Sequence, residues 1–272
     1  MIQEIEHRDY TATLWRCAEL GGARFILTSP PYLDSRVSGE YGFDSPPWTL
    51  DDYKRLGISV RDALTPGGVV ALNVFGRVAE WRQGFGTERS TDWMRIALLW
   101  QELGLRYIEC YAYCALGPPG AFGPRHRKGW EPVHVFAKIG ADVYFDRHAA
   151  TRPAATVGRR YGRSRHRDST GWSVGGPGFT QESEACLDTA IAASPCSSHG
   201  HPAPFSPYLA NVFVASYTQI GDIVCDPFTG SGTVAVAAAQ QMRQFVGGDL
   251  GHRLDPPARW ADIARARMLE GV

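Results

Sequence analysis

Ile223-Val224-Cys225-Asp226-Pro227-Phe228-Thr229-Gly230-Ser231-Gly232-Thr233 joins an apolar run to the Ala-rich stretch from Val234 to Gln241. The apolar run reads as a buried strand, the following stretch as a helix, and the glycines as the tight turn between them. Gly230 and Gly232 allow the backbone to turn sharply and to approach a ligand closely. The helix start beyond them presents free N–H groups and a positive end to a carboxylate or phosphate. No Lys follows the glycines, so the motif is not a P-loop, and the later glycine of the dinucleotide fingerprint is missing. About one β-α-β unit further on, Phe245-Val246-Gly247-Gly248-Asp249 ends a second strand with an acid where ribose hydroxyls would bind. Turn and acid together imply a nucleoside-containing ligand; the competing reading is an ordinary structural turn beside a surface acid.

Near the other end of the chain, Phe25-Ile26-Leu27 leads into Thr28-Ser29-Pro30-Pro31-Tyr32, a rigid loop at the carboxyl end of a buried strand. Open α/β sheets place their ligand sites at such strand ends. Further strand-like runs occur at Val69 to Phe75, Tyr107 to Cys114 and Val133 to Ala137. Helix-like stretches at Leu50 to Leu64 and Thr91 to Leu103 lie between them, the first opened by Thr49 and Asp52 in capping-box spacing. This alternation predicts a largely parallel sheet. The turn Thr65-Pro66-Gly67-Gly68 is expected to feed the strand ending near Phe75.

Composition changes between residues 141 and 204, which are rich in Arg, Gly, Ser and Pro and carry little hydrophobic periodicity. The expected organisation is therefore a core half at 1–140, an inserted segment at 141–204 and a second core half at 205–272. A helix is expected from Ala203 to Tyr217, strands around Val224 and Val246, and a final amphipathic helix from Ala258 to Leu269. The formal net charge is zero, yet Arg147, Arg152, Arg159, Arg160, Arg163, Arg165 and Arg167 follow Asp146 with no acid among them. Such a cluster is either a phosphate-binding surface or a solvated basic loop.

No apolar run approaches the roughly 20 residues of a membrane span, and no signal-peptide pattern opens the chain. The expectation is a cytoplasmic protein without membrane association. Six cysteines lack C-x-x-C spacing, which favours reduced thiols, and the scattered histidines suggest no metal site.

In the order and chemistry of these motifs the chain resembles the DNA amino-methyltransferases that use S-adenosylmethionine, in the permuted arrangement with the catalytic motif ahead of the cofactor motif. The resemblance covers nearly the whole chain. Ser29-Pro30-Pro31-Tyr32, after Thr28, matches the family's catalytic tetrapeptide, and Asp226 to Thr233 matches its cofactor motif. Leu64 to Gly68 resembles the turn before the next strand, and His201-Pro202-Ala203-Pro204-Phe205 the segment lining the methionine side of the pocket.

The resemblance implies a Rossmann-like class I methyltransferase, an α/β fold with a mainly parallel sheet and helices on both faces. Ser29 and the Pro30 carbonyl would accept the N–H groups of an exocyclic amine, Pro31 would stiffen the loop, and Tyr32 would stack on a base turned out of duplex DNA. The cofactor would be held by Thr28, Asp226, Pro227, Phe228, Gly230, Ser231, Gly232, Thr233, Asp249, His201 and Pro202, with Asp9 at its adenine end. Ser at position 29 is typical of family members acting on N4 of cytosine; N6 of adenine remains the alternative. Arg159, Arg160, Arg163, Arg165 and Arg167 would hold double-stranded DNA, and a cognate restriction endonuclease is a possible partner. Oligomeric state is not implied.

The chain departs from the family pattern at Asp249, where Glu is usual, and at Arg8-Asp9, where Gly-Asp is usual. Asp44-Ser45-Pro46-Pro47-Trp48 also fits the catalytic pattern, but follows no apolar strand and reads as a helix-entry loop, with a role in covering the pocket left open. A DNA-binding relative without turnover is the reading of a different class, and an RNA or small-molecule methyltransferase a third.

Overall fold

Residues 25–27 and 69–72 bury both faces of two neighbouring strands, which is why they read as unbroken apolar runs. The computed structural model describes residues 1–32, 48–74, 91–115, 129–150, 189–193, 201, 206–253 and 257–270, and the backbone of short strands between 151 and 186. The elements are β1 (Gln3–Glu6), α1 (Tyr10–Glu19), β2 (Ala23–Thr28), α2 (Leu50–Ala63), β3 (Leu64–Asn73), α3 (Asp92–Glu102), β4 (Leu105–Ala115) and β5 (Glu131–Lys138). The short strands β6 (Thr151–Pro153), β7 (Arg160–Tyr161), β8 (Arg165–Arg167), β9 (Ser173–Gly175), β10 (Phe179–Thr180) and β11 (Glu184–Cys186) follow. The chain continues through β12 (Ala190–Ala193), α4 (Pro207–Tyr217), β13 (Ile223–Asp226), α5 (Thr233–Gln240) and β14 (Gln244–Gly248), then β15 (His252–Arg253), β16 (Ala258–Arg259) and α6 (Trp260–Glu270).

The main sheet has the order β1-β14-β13-β2-β3-β5-β4-β12. Its ladders are parallel except where β5 pairs antiparallel with β3 and with β4. Alternation along each strand divides the core in two. Phe25, Leu27, Val69, Ala71, Val224 and Phe245 pack under α4, α5 and α6. Ile26, Val70, Leu72, Cys225 and Val246 pack under α1, α2 and α3, with Trp100 and Phe136. This is the α/β fold with helices on both faces that the sequence predicts.

Local signals account for the boundaries. The Thr49 hydroxyl accepts from the Asp52 N–H at 3.3 Å and the Asp52 carboxylate accepts from the Thr49 N–H at 2.8 Å, a complete capping box at the start of α2. The turn at Thr65 to Gly68 lies inside β3 rather than before it. Leu64 already pairs with Ala23, and the register jumps from there to Phe25 opposite Val69, so the extra residues bulge, with Gly67 at φ +71°. Helix α4 begins at Pro207 rather than Ala203, with residues 202–205 outside the described set, and α6 begins at Trp260 because Ala258–Arg259 instead pair with His252–Arg253.

The described residues between 151 and 186 form short strands, where the composition predicts none: β6 pairs with β11, β7 with β10 and β8 with β9, all antiparallel, and these three nested pairs make up an arm. β12 then returns to pair in parallel with β4 at the edge of the main sheet. No helix among the described residues is long and apolar enough to cross a membrane.

Candidate active site

β2 and β13 are adjacent and parallel, with Phe25 opposite Val224 and Ile26 opposite Cys225. From β2 the chain winds to β3 on one side, and from β13 to β14 on the other. The carboxyl ends of β2 and β13 therefore flank the switch point where open α/β sheets form their ligand crevice. Two motifs almost 200 residues apart meet there: the buried Thr28 hydroxyl donates to Asp226 Oδ1 at 3.0 Å across 198 positions of sequence.

Asp226 organises the glycine turn. Its Oδ1 also accepts from the Phe228 N–H at 3.0 Å, and its carbonyl accepts the Thr229 hydroxyl at 2.7 Å. Burial pushes the Asp226 carboxyl up to about 7, nearby Asp249 adding to the rise while the hydrogen bonds from Phe228 and Thr28 oppose it. Asp249, at the end of β14, accepts from the Gly230 N–H on Oδ2 at 2.8 Å and from the Gly251 N–H on Oδ1 at 2.7 Å. The acid of the second strand thus ties the glycine turn to its own loop. Gly230 has φ +50°, and a Cβ there would lie 2.7 Å from His201 Nε2. Gly232 has φ +88°, and its Cβ would lie 2.7 Å from that of Ala264 on α6. Both glycines are demanded by backbone conformation and by close approach. His201 packs edge-on against Trp260 with centroids 4.7 Å apart. Arg267 of α6 donates to the Ser231 carbonyl. Ser231 and Thr233 are buried, and Pro227 is buried beside them.

An aromatic wall stands beside this turn. Phe228 stacks on Tyr10 at 5.6 Å and meets the edge of Trp48 at 5.4 Å, while Trp48 also contacts Tyr53 at 5.5 Å. Trp48 is the last residue of the second Ser-Pro-Pro segment, whose residues 44–47 lie outside the described set. Asp9 has a local duty, capping α1 through Oδ1 and the Ala12 N–H at 2.8 Å.

The Ser-Pro-Pro-Tyr loop rests on β3, β5 and α2. Ser29 Oγ lies 3.4 Å and the Tyr32 hydroxyl 3.5 Å from Asn73 Oδ1, both long hydrogen bonds, and the Tyr32 hydroxyl donates to Glu131 Oε2 at 3.1 Å. The Asn73 amide donates to the Pro132 carbonyl at 3.1 Å. The Tyr53 hydroxyl donates to the Pro31 carbonyl at 2.8 Å, anchoring a loop already stiffened by two prolines. Burial, then the Glu131 charge, holds the Tyr32 phenol well above its ordinary pKa.

The structure therefore brings together Thr28, Ser29, Tyr32, Asp226, Phe228, Gly230, Asp249 and His201. Pro202, Arg159 and Arg163 lie outside the described residues. Arg160 sits opposite Thr180 in one short strand pair, and Arg165 and Arg167 opposite Gly175 and Ser173 in another. Sequence reasoning missed Asn73, Glu131, Tyr53 and Tyr10 as neighbours of these residues, while Trp48 belonged to a segment it had singled out. Asn73 carried a readable signal, a lone amide ending the apolar run Val69 to Leu72.

Residues 23–254 match the DNA methylase family that groups N6 and N4 methyltransferases, and the chain belongs to that family. It is 25% identical over 186 residues to the type II methyltransferase M.XycI of Xanthomonas campestris pv. cyanopsidis, covering 68% of this chain and 49% of that protein. A 68-residue stretch is 40% identical to the orphan methyltransferase M.BamHII of Bacillus amyloliquefaciens, covering 25% of this chain and 23% of that one. The chain thus aligns with 23% to 49% of these relatives' lengths. The fold is similar to the PvuII DNA methyltransferase, described as cytosine-N4-specific, with TM-score 0.63 and 17% identity over 100% of this chain and 95% of that one. It is also similar to M1.HpyAVI in complex with SAM, with TM-score 0.62 and 18% identity over 98% and 100%.

Proposed function

We propose that this protein transfers a methyl group from S-adenosylmethionine to the N4 of a cytosine turned out of duplex DNA. The observation that carries the reading is the Thr28–Asp226 hydrogen bond at the switch point, which couples the Ser-Pro-Pro-Tyr loop to the glycine turn. Membership of the DNA methylase family supports the reaction class. The choice of cytosine rests on Ser29, with adenine N6 the alternative, and the resemblance to a cytosine-N4-specific structure agrees with it.

The residues present suit a nucleoside-bearing ligand. Carboxylates at Asp226 and Asp249 lie on the same glycine turn as Phe228, which packs with Tyr10 and Trp48, and the turn leads into the N-terminus of α5. The cofactor supplies a methyl group on a positively charged sulfur. Thr28, Asp226, Pro227, Phe228, Gly230, Ser231, Gly232 and Thr233 form its cradle in this reading. Asp249, whose carboxylate accepts from Gly230 and Gly251, would take the ribose hydroxyls in this reading, and His201 would border the methionine end.

An exocyclic amine is a weak nucleophile because its lone pair is delocalised into the ring. Acceptors at Ser29 Oγ and the Pro30 carbonyl draw its N–H bonds out of the ring plane and return electron density to nitrogen. Tyr32 provides a face for the extruded base. Residues 141–204 are the inserted recognition segment in this reading, and Arg160, Arg165 and Arg167, on two of its short strand pairs, supply the positive charge that suits a phosphate backbone.

The test is to incubate the protein with isotopically labelled S-adenosylmethionine and unmethylated duplex DNA, then digest to nucleosides for mass spectrometry. N4-methylcytosine is the expected product. N6-methyladenine would overturn the base assignment, and retained cofactor binding without labelled DNA would overturn the enzymatic reading in favour of a non-catalytic DNA-binding protein or another substrate.

A further inference from the structure

Ser29 and Tyr32 are the hydroxyls of the catalytic loop, and both face acceptors on their protein side. Asn73 cannot turn its amide around freely, because Nδ2 is held by the Pro132 carbonyl at 3.1 Å, so Oδ1 points to the loop. That oxygen lies 3.4 Å from Ser29 Oγ and 3.5 Å from the Tyr32 hydroxyl. Glu131 Oε2 takes the Tyr32 proton at 3.1 Å. Asn73 is 3% exposed, so solvent does not compete for its oxygen.

A hydroxyl has one proton and two lone pairs. Once its proton is directed at the protein, only acceptor capacity is left for a ligand. Ser29 also neighbours the Tyr32 hydroxyl, and donation there has the same result for its own oxygen. Tyr32 keeps its proton, since burial and the Glu131 charge oppose ionisation.

We propose that Asn73 and Glu131 are positioning residues, Asn73 taking the Ser29 proton and Glu131 keeping the Tyr32 hydroxyl from competing for that same oxygen, so that Ser29 Oγ meets the reacting edge as an acceptor and the site admits an amino-bearing base in preference to its carbonyl analogue. Cytosine and adenine offer N–H donors at the reacting edge; uracil and hypoxanthine offer a carbonyl oxygen there. A carbonyl would meet oxygen lone pairs with no proton between them, a buried mismatch that costs more than a missing hydrogen bond. The inference rests on the proposed function and deepens it.

The test begins by mapping the methylated position in product DNA. Two duplexes are then made that differ only at the target base, cytosine against uracil, or adenine against hypoxanthine if methyladenine is the product. Affinity for each is measured with the cofactor product S-adenosylhomocysteine bound. Asn73→Ala and Glu131→Ala should each shift the affinity ratio at least about fivefold toward the carbonyl base, relative to the unsubstituted protein. Glu131→Gln keeps an oxygen that accepts from Tyr32 and should restore the ratio. Comparing variants cancels the easier extrusion of a mispaired base. A purely structural role would weaken both duplexes alike, and an unchanged ratio in a folded, cofactor-binding Glu131→Ala protein overturns the proposal even if Asn73→Ala fails to fold. Absence of methyl transfer to DNA by the unsubstituted protein overturns the parent function instead, so the two failures are distinct.

Discussion

Ser29 stands 3.4 Å from its support on β3, while Thr28, one residue earlier, bonds the cofactor-side acid Asp226. The neighbouring side chains therefore separate the two halves of the proposed reaction. Ser29→Ala is expected to lower turnover by about a hundredfold or more, the scale of losing one aligned hydrogen-bonding group in a transition state. Affinity for S-adenosylmethionine, measured by calorimetry, should be retained; loss of both together would contradict the assignment. Gly230 offers a complementary case. Gly230→Ala introduces a side chain at φ +50° and 2.7 Å from His201 Nε2, so it should lower stability by roughly 1–2 kcal/mol and weaken cofactor binding. Adding His201→Ala removes the collision but leaves the backbone strain. Partial recovery of cofactor affinity is the expected outcome, and full recovery would show that φ is unimportant there.

The elements extend this separation. Helix α2 starts at a complete capping box, carries Tyr53 to the Pro31 carbonyl, and follows directly on Trp48. Thr49→Ala should destabilise the protein by about 1 kcal/mol, seen as a fall of roughly 2–4 °C in the thermal midpoint for a chain of this size. The arm makes a different prediction. Replacing Arg160, Arg165 and Arg167 with Gln should weaken DNA binding and flatten its dependence on salt, because fewer counterions are then released; an unchanged salt slope would remove the arm from the interface. These elements were unequally legible in the sequence. The cap at Thr49 and the strand at Phe25 to Leu27 depend on local chemistry and burial, which leave their pattern within a few residues. The nested arm depends on pairings such as Thr151 with Cys186, where neither partner is apolar enough to leave a periodic signal. Asn73 and Glu131 were legible as polar residues near strands but not as parts of a site. Their roles arise only because β3 lies between β2 and β5, a neighbourhood that no local pattern encodes.

At the scale of the whole molecule, the switch point buries an acid at the heart of the sheet, and the opposite charge problem occurs under α3. Asp226 is 1% exposed with its carboxyl pushed up to about 7 by burial. His134, 2% exposed on β5 and stacked on Trp93, is pushed down to about 4 by burial; its Nε2 has no hydrogen-bond partner among the described residues. The two act on stability with opposite signs. An Asp raised in the folded state contributes stability below its unfolded value of about 3.9, and that contribution is lost as pH rises toward 7. A His lowered in the folded state contributes stability above its unfolded value of about 6.5, lost as pH falls toward 4. Between roughly pH 4 and 6.5 the effects oppose each other, so neither alone shapes the profile. Glu4, held below its ordinary range chiefly by hydrogen bonds from Arg16, acts at lower pH than this window. Thermal midpoints of the cofactor-free protein across pH 4.5 to 6.5 should therefore tilt in opposite directions in two variants, relative to the unsubstituted chain. Asp226→Asn removes the acid's titration, and its midpoint should rise with pH relative to the parent. His134→Gln removes the imidazole's, and its midpoint should fall with pH on the same comparison. Parallel profiles for all three proteins would mean that neither buried group changes its protonation on unfolding in this range.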